Sequence, residues 1–239
     1  MKMNTLIKYF LLLPTTVVLG LFLSACAGNA GFTISESKTD SGPNYEAVRK
    51  MAIGQQWIYN VRNLYNNQII DTITESVISV APLIEIKRES KNSGPLPSEI
   101  QSATGLVLQD PYWNPVVSFT SPMPIWPQSS SKSERFTTQY KVLDGTSTFP
   151  WSSTITYAGS KVVNIQGNQF NTLKINNSIY FQSDDFSRHT SLRYSTIWIA
   201  PNIGRWVIKR TNGSYLDVNT GIGNDRHESM LQYELVSYK

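Results

Sequence analysis

Trp57-Ile58-Tyr59-Asn60-Val61-Arg62 sets three large apolar side chains, Trp57, Tyr59 and Val61, two residues apart. Successive side chains of a strand point to opposite faces, so these three share one face. The period predicts a β-strand with an aromatic inward side. Asn66-Asn67 follows, and then residues 69–80, rich in Ile, Thr and Val. Two such runs about a pair of asparagines predict a β-hairpin.

The same period continues in both directions from this hairpin. Leu83 to Glu89 alternates, and Gly94-Pro95-Leu96-Pro97 reads as a break before a strand over 99–109. Residues 136–143, 152–157, 162–166, 170–181, 192–199, 205–210 and 230–238 read as further strands, with Gly167-Asn168 as a turn pair. Residues 110–132 carry Pro111, Pro115, Pro122, Pro124 and Pro127, a density that argues against a central strand or a long helix. They also carry Tyr112, Trp113, Phe119, Met123, Ile125 and Trp126, so the expectation is an ordered extended loop packed over the sheet. The one helical signal is short, over residues 45–52, with Gly54 as its stop. The predicted fold class is all-β and mostly antiparallel: a curved sheet or partial barrel with a long Pro-rich loop and few short helices.

The N-terminus says where the chain resides. Lys2 and Lys8 precede an apolar run over residues 9–23, and Ser24 and Ala25 are small. That is the layout of a secretory signal; the run is too short and interrupted for a comfortable span of roughly 20 residues. Leu23-Ser24-Ala25-Cys26 resembles the lipobox of bacterial lipoproteins. The resemblance implies cleavage before Cys26 and acylation there, palmitate included. Two or more acyl chains anchor stably where one does not. Ala27 follows the cysteine, which by resemblance to enteric-type sorting implies the outer membrane, facing the periplasm; inner-membrane and surface-exposed placements stay open. Cys26 is the sole cysteine, so its lipidation would leave no thiol for disulfides, catalysis or a cysteine metal site. The domain plan is then a signal peptide over 1–25, the lipidated cysteine and a flexible tether over 26–44, and one β-rich domain over 45–239.

Composition narrows the function classes. Of the 239 residues, removing the first 25 leaves 214; with Lys2 and Lys8 gone and no acid lost, the formal charge falls from +4 to +2. Charged residues are 16% of the chain, below the usual quarter or so. A nucleic-acid binder would show a clustered basic patch, and none is evident.

A second resemblance lies in the C-terminal third. Thr196-Ile197-Trp198-Ile199-Ala200-Pro201-Asn202-Ile203-Gly204-Arg205-Trp206-Val207 resembles the Trp-x-Ala-Pro-x-x-Gly-x-x-Val hairpin of exported β-rich bacterial proteins of half-barrel, lipoprotein-carrier-like form. Gly54, Trp57 and Tyr59 match their opening Gly-x-x-Trp-x-Tyr strand. The resemblance supplies no catalytic residues. The strand pattern predicts Trp57, Trp198 and Trp206 to be buried.

Candidate chemistry is sparse. Asp184-Asp185-Phe186-Ser187-Arg188-His189 places acid, hydroxyl and imidazole in one short segment, whereas a catalytic triad draws them from separate elements; a polar turn is the expectation. His189 and His227 are the only histidines and do not make a zinc set. Asp217, Asn219, Asp225 and Glu228 fall at the first, third, ninth and twelfth positions of a calcium-loop spacing, but Gly221 and Ile222 depart from it. Trp113 and Trp126, in the Pro-rich loop, are the candidate contacts for a ligand or partner. The expectation is a non-catalytic envelope lipoprotein, without cofactor, that binds a hydrophobic ligand or a partner protein. A structural subunit of an envelope complex and an envelope-directed hydrolase are the alternatives.

Overall fold

The computed structural model of the chain describes residues 32–37, 42–129, 131–220 and 224–239. Cys26, the signal peptide and most of the expected tether lie outside the described residues. Fourteen strands are present among those described: β1 (Phe32–Glu36), β2 (Gln56–Asn63), β3 (Gln68–Ser79), β4 (Leu83–Ser90), β5 (Gly94–Ser102), β6 (Val107–Asp110), β7 (Val117–Met123), β8 (Ser133–Val142), β9 (Phe149–Ile165), β10 (Asn168–Phe181), β11 (Arg188–Ala200), β12 (Arg205–Asp217), β13 (Asp225–His227) and β14 (Leu231–Tyr238). The fold is all-β and antiparallel. From β2 to β12 each strand pairs with the next, and β14 enters between β12 and β2. The C-terminal strand thereby closes a twelve-stranded barrel.

Local chemistry accounts for the turns. Asn67 takes φ 60°, and the side chains of Asn63 and Asn66 accept from Tyr65 N and Gln68 N, closing the β2–β3 hairpin. Gln166 and Gly167 both have positive φ, as a two-residue turn twisted like its strands requires. β9 is one long strand where two were expected. Between Tyr157 and Ser160 its register against β10 slips at a bulge, and Gly159 there has φ 91°.

Beyond that bulge the β9–β10 hairpin leaves the barrel wall, and β1 adds to its edge, Phe32 opposite Ile165 and Ile34 opposite Val163. This three-stranded flap packs over β12 and β14. Phe170 meets the Tyr238 ring at 6.2 Å, and the Phe32 ring lies 5.8 Å from the Arg210 guanidinium. The tether reading is therefore corrected at Phe32–Glu36. Phe32 and Ile34 are spaced for one face, and the open edge of β9 supplies the hydrogen bonds that an isolated segment lacks.

Two more expectations change. Gly94-Pro95-Leu96-Pro97 opens β5 instead of breaking the sheet. β6 pairs only with Ile100 and Gln101, so the prolines stand where one side of the strand has no ladder to donate to. Residues 117–123 of the Pro-rich segment form β7, with Pro122 outside the paired positions. The expected 45–52 helix reduces to a 3-10 turn, Tyr45–Ala47, with Asn44 accepting from Ala47 N.

Candidate functional site

Inside the barrel the strand alternation places charge among aromatics. Glu75 stands between Ile73 and Val77 on the inner face of β3, opposite Trp57. Arg88 comes from β4, Glu99 and Gln101 from β5, and Arg205 and Lys209 from β12. Arg205 is the hub. Its Nη2 donates to Glu75 Oε2 at 2.7 Å and to Glu99 Oε2 at 2.6 Å, while Nε and Nη1 reach Glu75 and Glu99 at 3.1 and 3.3 Å. Nη2 also donates to the Tyr112 hydroxyl at 2.8 Å, which itself donates to Glu75. Arg88 Nε lies 3.4 Å from Glu75, and its Nη1 donates to Pro111 O. Gln101 donates to Glu99.

These side chains are almost wholly enclosed, with Glu75 at 0% and Arg205 at 1% side-chain exposure. Burial pushes the Glu99 carboxyl up, but Arg205, through charge and hydrogen bonds, overrides it and holds Glu99 below its ordinary value. Burial alone would lower the Arg205 guanidinium; Glu99, Tyr112 and Glu75 hold it well above its ordinary value. Burial raises the Tyr59 and Tyr112 phenols well above theirs.

Lys209 differs from the other cations. Its ammonium meets ring faces, 3.4 Å from the Tyr112 centroid and 4.7 Å from that of Trp206, and burial lowers its pKa despite the charges of Asp110 and Glu99. It lines an inner cavity of about 70 Å³ together with Trp113, Met123, Trp151, Ile179 and Trp206.

On the other side of Trp206 and Ile125 lies a larger outer chamber of about 470 Å³, walled by Tyr45, Val48, Met51, Ile84, Ile125 and Trp126. Tyr45 and Trp126 stack, ring centroids 5.4 Å apart and 11° from parallel. Burial, with Tyr157 nearby, pushes the Tyr45 phenol up to about 12. No described residue bonds its hydroxyl, nor the buried indole N–H of Trp206. The exposed Arg49 and Lys50 also line this chamber.

The 201–204 turn holds the chamber wall in place. Pro201 opens a 3-10 turn, Pro201–Ile203, and Gly204 ends it at φ 70°. Arg49 N donates to Pro201 O at 2.8 Å. A Cβ on Gly204 would stand 2.4 Å from Arg49 O, so only glycine lets the 45–51 segment approach this closely. The Ala-Pro-x-x-Gly hairpin thus pins that segment beside the β11–β12 turn.

The residues expected from sequence fall in different places. Trp126 walls the outer chamber. Trp113 lines the inner cavity, its ring 4.9 Å from the Arg193 guanidinium. The calcium-loop residues are not gathered on one point. Glu228 pairs bidentately with Arg193 at 2.8 Å through both oxygens, Asp217 accepts from Asn219 N, and Asp225 is exposed; residues 221–223 lie outside the described residues. Among the described residues no group of three or more His, Cys, Asp or Glu could hold a metal. Asp185 accepts from the Ser187 backbone and hydroxyl and pairs with Arg188, making a polar turn; His189 and His227 are exposed. Cys26 lies outside the described residues.

Tyr45, Met51, Glu75, Glu99, Arg205 and Lys209 were not anticipated. A signal existed for Glu75: an acid inside the apolar stripe Ile73-x-Glu75-x-Val77. No comparable signal marks Tyr45 or Met51, which the 201–204 turn brings to the chamber.

No protein-family model matches the chain, and no curated protein sequence matches it. Among solved structures, one named a putative lipoprotein from Parabacteroides distasonis ATCC 8503 aligns over 79% of this chain and 96% of its own, with 12% identity and a TM-score of 0.48. The hypothetical lipoprotein YmcC from Escherichia coli (K12) aligns over 78% and 85%, with 12% identity and a TM-score of 0.42.

Proposed function

We propose that the chain is a non-catalytic, lipid-anchored protein of the cell envelope that holds a hydrophobic ligand in the outer chamber. The observation that carries this reading is the chamber itself: about 470 Å³ of mostly apolar wall, faced by the stacked Tyr45 and Trp126 rings. Ligand sites of this size are concave, mainly apolar and furnished with a few polar groups. The polar groups here are the Tyr45 hydroxyl, without a partner among the described residues, and the Arg49 and Lys50 cations. They suit an amphiphile whose chain lies against Met51, Ile84 and Trp126 and whose acceptor-bearing head sits among the cations. The lipobox-like Leu23-Ser24-Ala25-Cys26 supports anchoring at the outer membrane, facing the periplasm, where such amphiphiles are abundant. Trp126 is the ligand contact; Trp113 lines the inner cavity and does not reach this ligand.

Native mass spectrometry of the full chain purified from membranes in non-ionic detergent tests this. The wild type is expected to carry bound lipid, and Trp126→Ala to carry severalfold less while still folded. Equal lipid on both, with a large loss of thermal stability in the variant, would reduce the stack to a lid on the protein's own core.

A further inference from the structure

β1 enters the flap soon after Cys26: five residues, 27–31, separate that cysteine from Phe32. A chain advances at most about 3.3–3.6 Å per residue, so Cys26 lies within roughly 20 Å of Phe32 whatever path the chain takes. β1 is itself fastened to the barrel. All five of its residues pair with β9, from Phe32 opposite Ile165 to Glu36 opposite Lys161. Phe32 and Ile34 pack against the core, and the Phe32 ring reaches Arg210. The barrel is long against that reach: β10, with 14 residues, extends about 45 Å. Acyl chains on Cys26 would therefore hold the flap next to the bilayer, and not the opposite wall of β6 and β7.

The chemistry of this side suits the contact. β9, β10 and β11 contain no Asp or Glu, and β12 has one only at its end, Asp217. β3, β4 and β5 together carry Asp71, Glu75, Glu85, Glu89 and Glu99. Strand alternation gives the flap an outward face with Thr33, Ser35, Asn164, Gln169 and Asn171, all exposed and all uncharged hydrogen-bonding groups. The acids nearby are already paired. Glu36, at the flap root, pairs with Lys161, and Glu234 on β14 is buried against Arg62 and Gln232. The other neighbouring cations are Lys174 and Arg210, both beside the Trp198 ring. A bilayer containing anionic lipids attracts cations at its surface and repels carboxylates. The amides and hydroxyls of the flap can donate to headgroup oxygens, and no unpaired acid on this face repels them.

We infer that the outward face of the flap is a docking surface for the bilayer that anchors the chain, so that the barrel rests on the headgroups through β1, β9 and β10. The inference rests on acylation at Cys26 and is independent of what fills the outer chamber.

The test uses the acylated full chain, purified from membranes and reconstituted into vesicles of phosphatidylethanolamine and phosphatidylglycerol with nitroxide-labelled headgroups. Acylation blocks Cys26, so a single bimane can be placed at Gln169→Cys on the flap or at Ser121→Cys on β7, on the opposite wall. Both positions are exposed. The nitroxide is expected to quench the flap probe severalfold more than the β7 probe. Adding Asn164→Asp and Asn171→Asp to the flap probe should lower its quenching severalfold in these vesicles, and change it by less than about twofold in vesicles of phosphatidylcholine alone, which carry no net charge. Aspartate at 164 still offers an acceptor to Gly167 N, so the turn is kept in that variant. Equal quenching of the two probes, on a chain whose Cys26 is acylated by mass spectrometry, overturns the inference and leaves the flap face to a protein partner. Quenching that the two aspartates leave unchanged in the anionic vesicles overturns it as well. A chain without acyl groups on Cys26 would overturn this inference together with the anchoring reading, whereas equal quenching on an acylated chain leaves that reading standing.

Discussion

Two sets of buried charges lie back to back across the wall formed by β12 and β14, and they do different work. Lys209 and Arg210 are neighbours in sequence, yet one faces the lumen and the other the flap. The outer set joins strands already paired: Arg62 on β2 meets Glu234 on β14 at 2.8 Å, and Arg210 on β12 bonds Gln232 on β14. In the inner set Arg88 and Glu75 also stand on paired strands, but Arg205 joins strands that do not touch in the sheet. Arg205 on β12 reaches Glu75 on β3 and Glu99 on β5, which lie on the far side of β14 and β2. The outer ions reinforce a ladder that backbone hydrogen bonds would hold anyway. The inner ones are struts across the lumen and fix its cross-section. Position relative to the sheet, and not residue type, sets what an Arg–Glu pair contributes.

Removing one arginine from each set separates the two most clearly. Arg205→Met strands two enclosed carboxylates and should cost about 3–5 kcal/mol, the range for breaking a buried ion pair by deleting one partner. Arg62→Met leaves one carboxylate, which Gln232 still bonds, and should cost about 1–3 kcal/mol. Urea unfolding of the two variants measures both. Equal losses would show that the lumen struts carry no more than a wall contact does.

Much of this architecture was legible in the sequence, because it rests on alternation. Trp57, Tyr59 and Val61 point inward as their spacing demands, and Trp57, Trp198 and Trp206 are all buried. Trp198, however, faces outward. It pairs across strands with Lys174 and Ile208 and is covered by the flap, which alternation cannot anticipate because it reports a side chain's parity and not what lies over it. Closure was hidden for a similar reason. It depends on β14 pairing with β2, Leu231 opposite Asn63, and no local signal joins residues that far apart. The expected loop over 110–132 overstated the reach of proline, since Pro122 sits in a strand where the ladder is interrupted. That Trp113 and Trp126 are ordered against cavity walls was legible, because a polar linker would not carry such large apolar residues. The inward cation was not legible at Lys209, where a lysine two residues before Thr211 looks like any outward-facing strand residue.

A smaller effect tests the flap. Phe32 is half-buried, and its ring lies against Arg210. Phe32→Ser should cost about 1–2 kcal/mol through lost apolar burial. Combined with Arg205→Met, its loss should simply add, because the barrel wall separates the two and independent sites sum. Non-additive unfolding free energies in that double variant would mean that the flap and the lumen struts communicate, and the division between inner and outer charges would have to be redrawn.

The smallest effect at neutral pH, and the one that isolates the inner set, is acid sensitivity. Burial raises the Glu99 carboxyl, but Arg205 outweighs burial and the folded protein holds it below its ordinary value of 4.5. A carboxyl whose pKa is lower folded than unfolded binds fewer protons in the folded state. Its contribution to stability is therefore complete above the unfolded value and is lost as pH falls through that value toward the folded one. Unfolding midpoints in urea from about pH 7 to about pH 3 should stay nearly level down to roughly pH 5 and then decline. In Glu99→Gln the titrating group is gone, so its curve should start lower at neutral pH, where Arg205 has one carboxylate fewer, and decline less steeply in acid. The two curves should converge as acid neutralises Glu99 in the wild type. Parallel curves would mean that folding leaves the proton affinity of Glu99 unchanged, and a wild type that gains on Glu99→Gln as pH falls would mean that Glu99 is protonated in the fold, so that the strut from β12 to β5 is a neutral hydrogen bond instead of an ion pair.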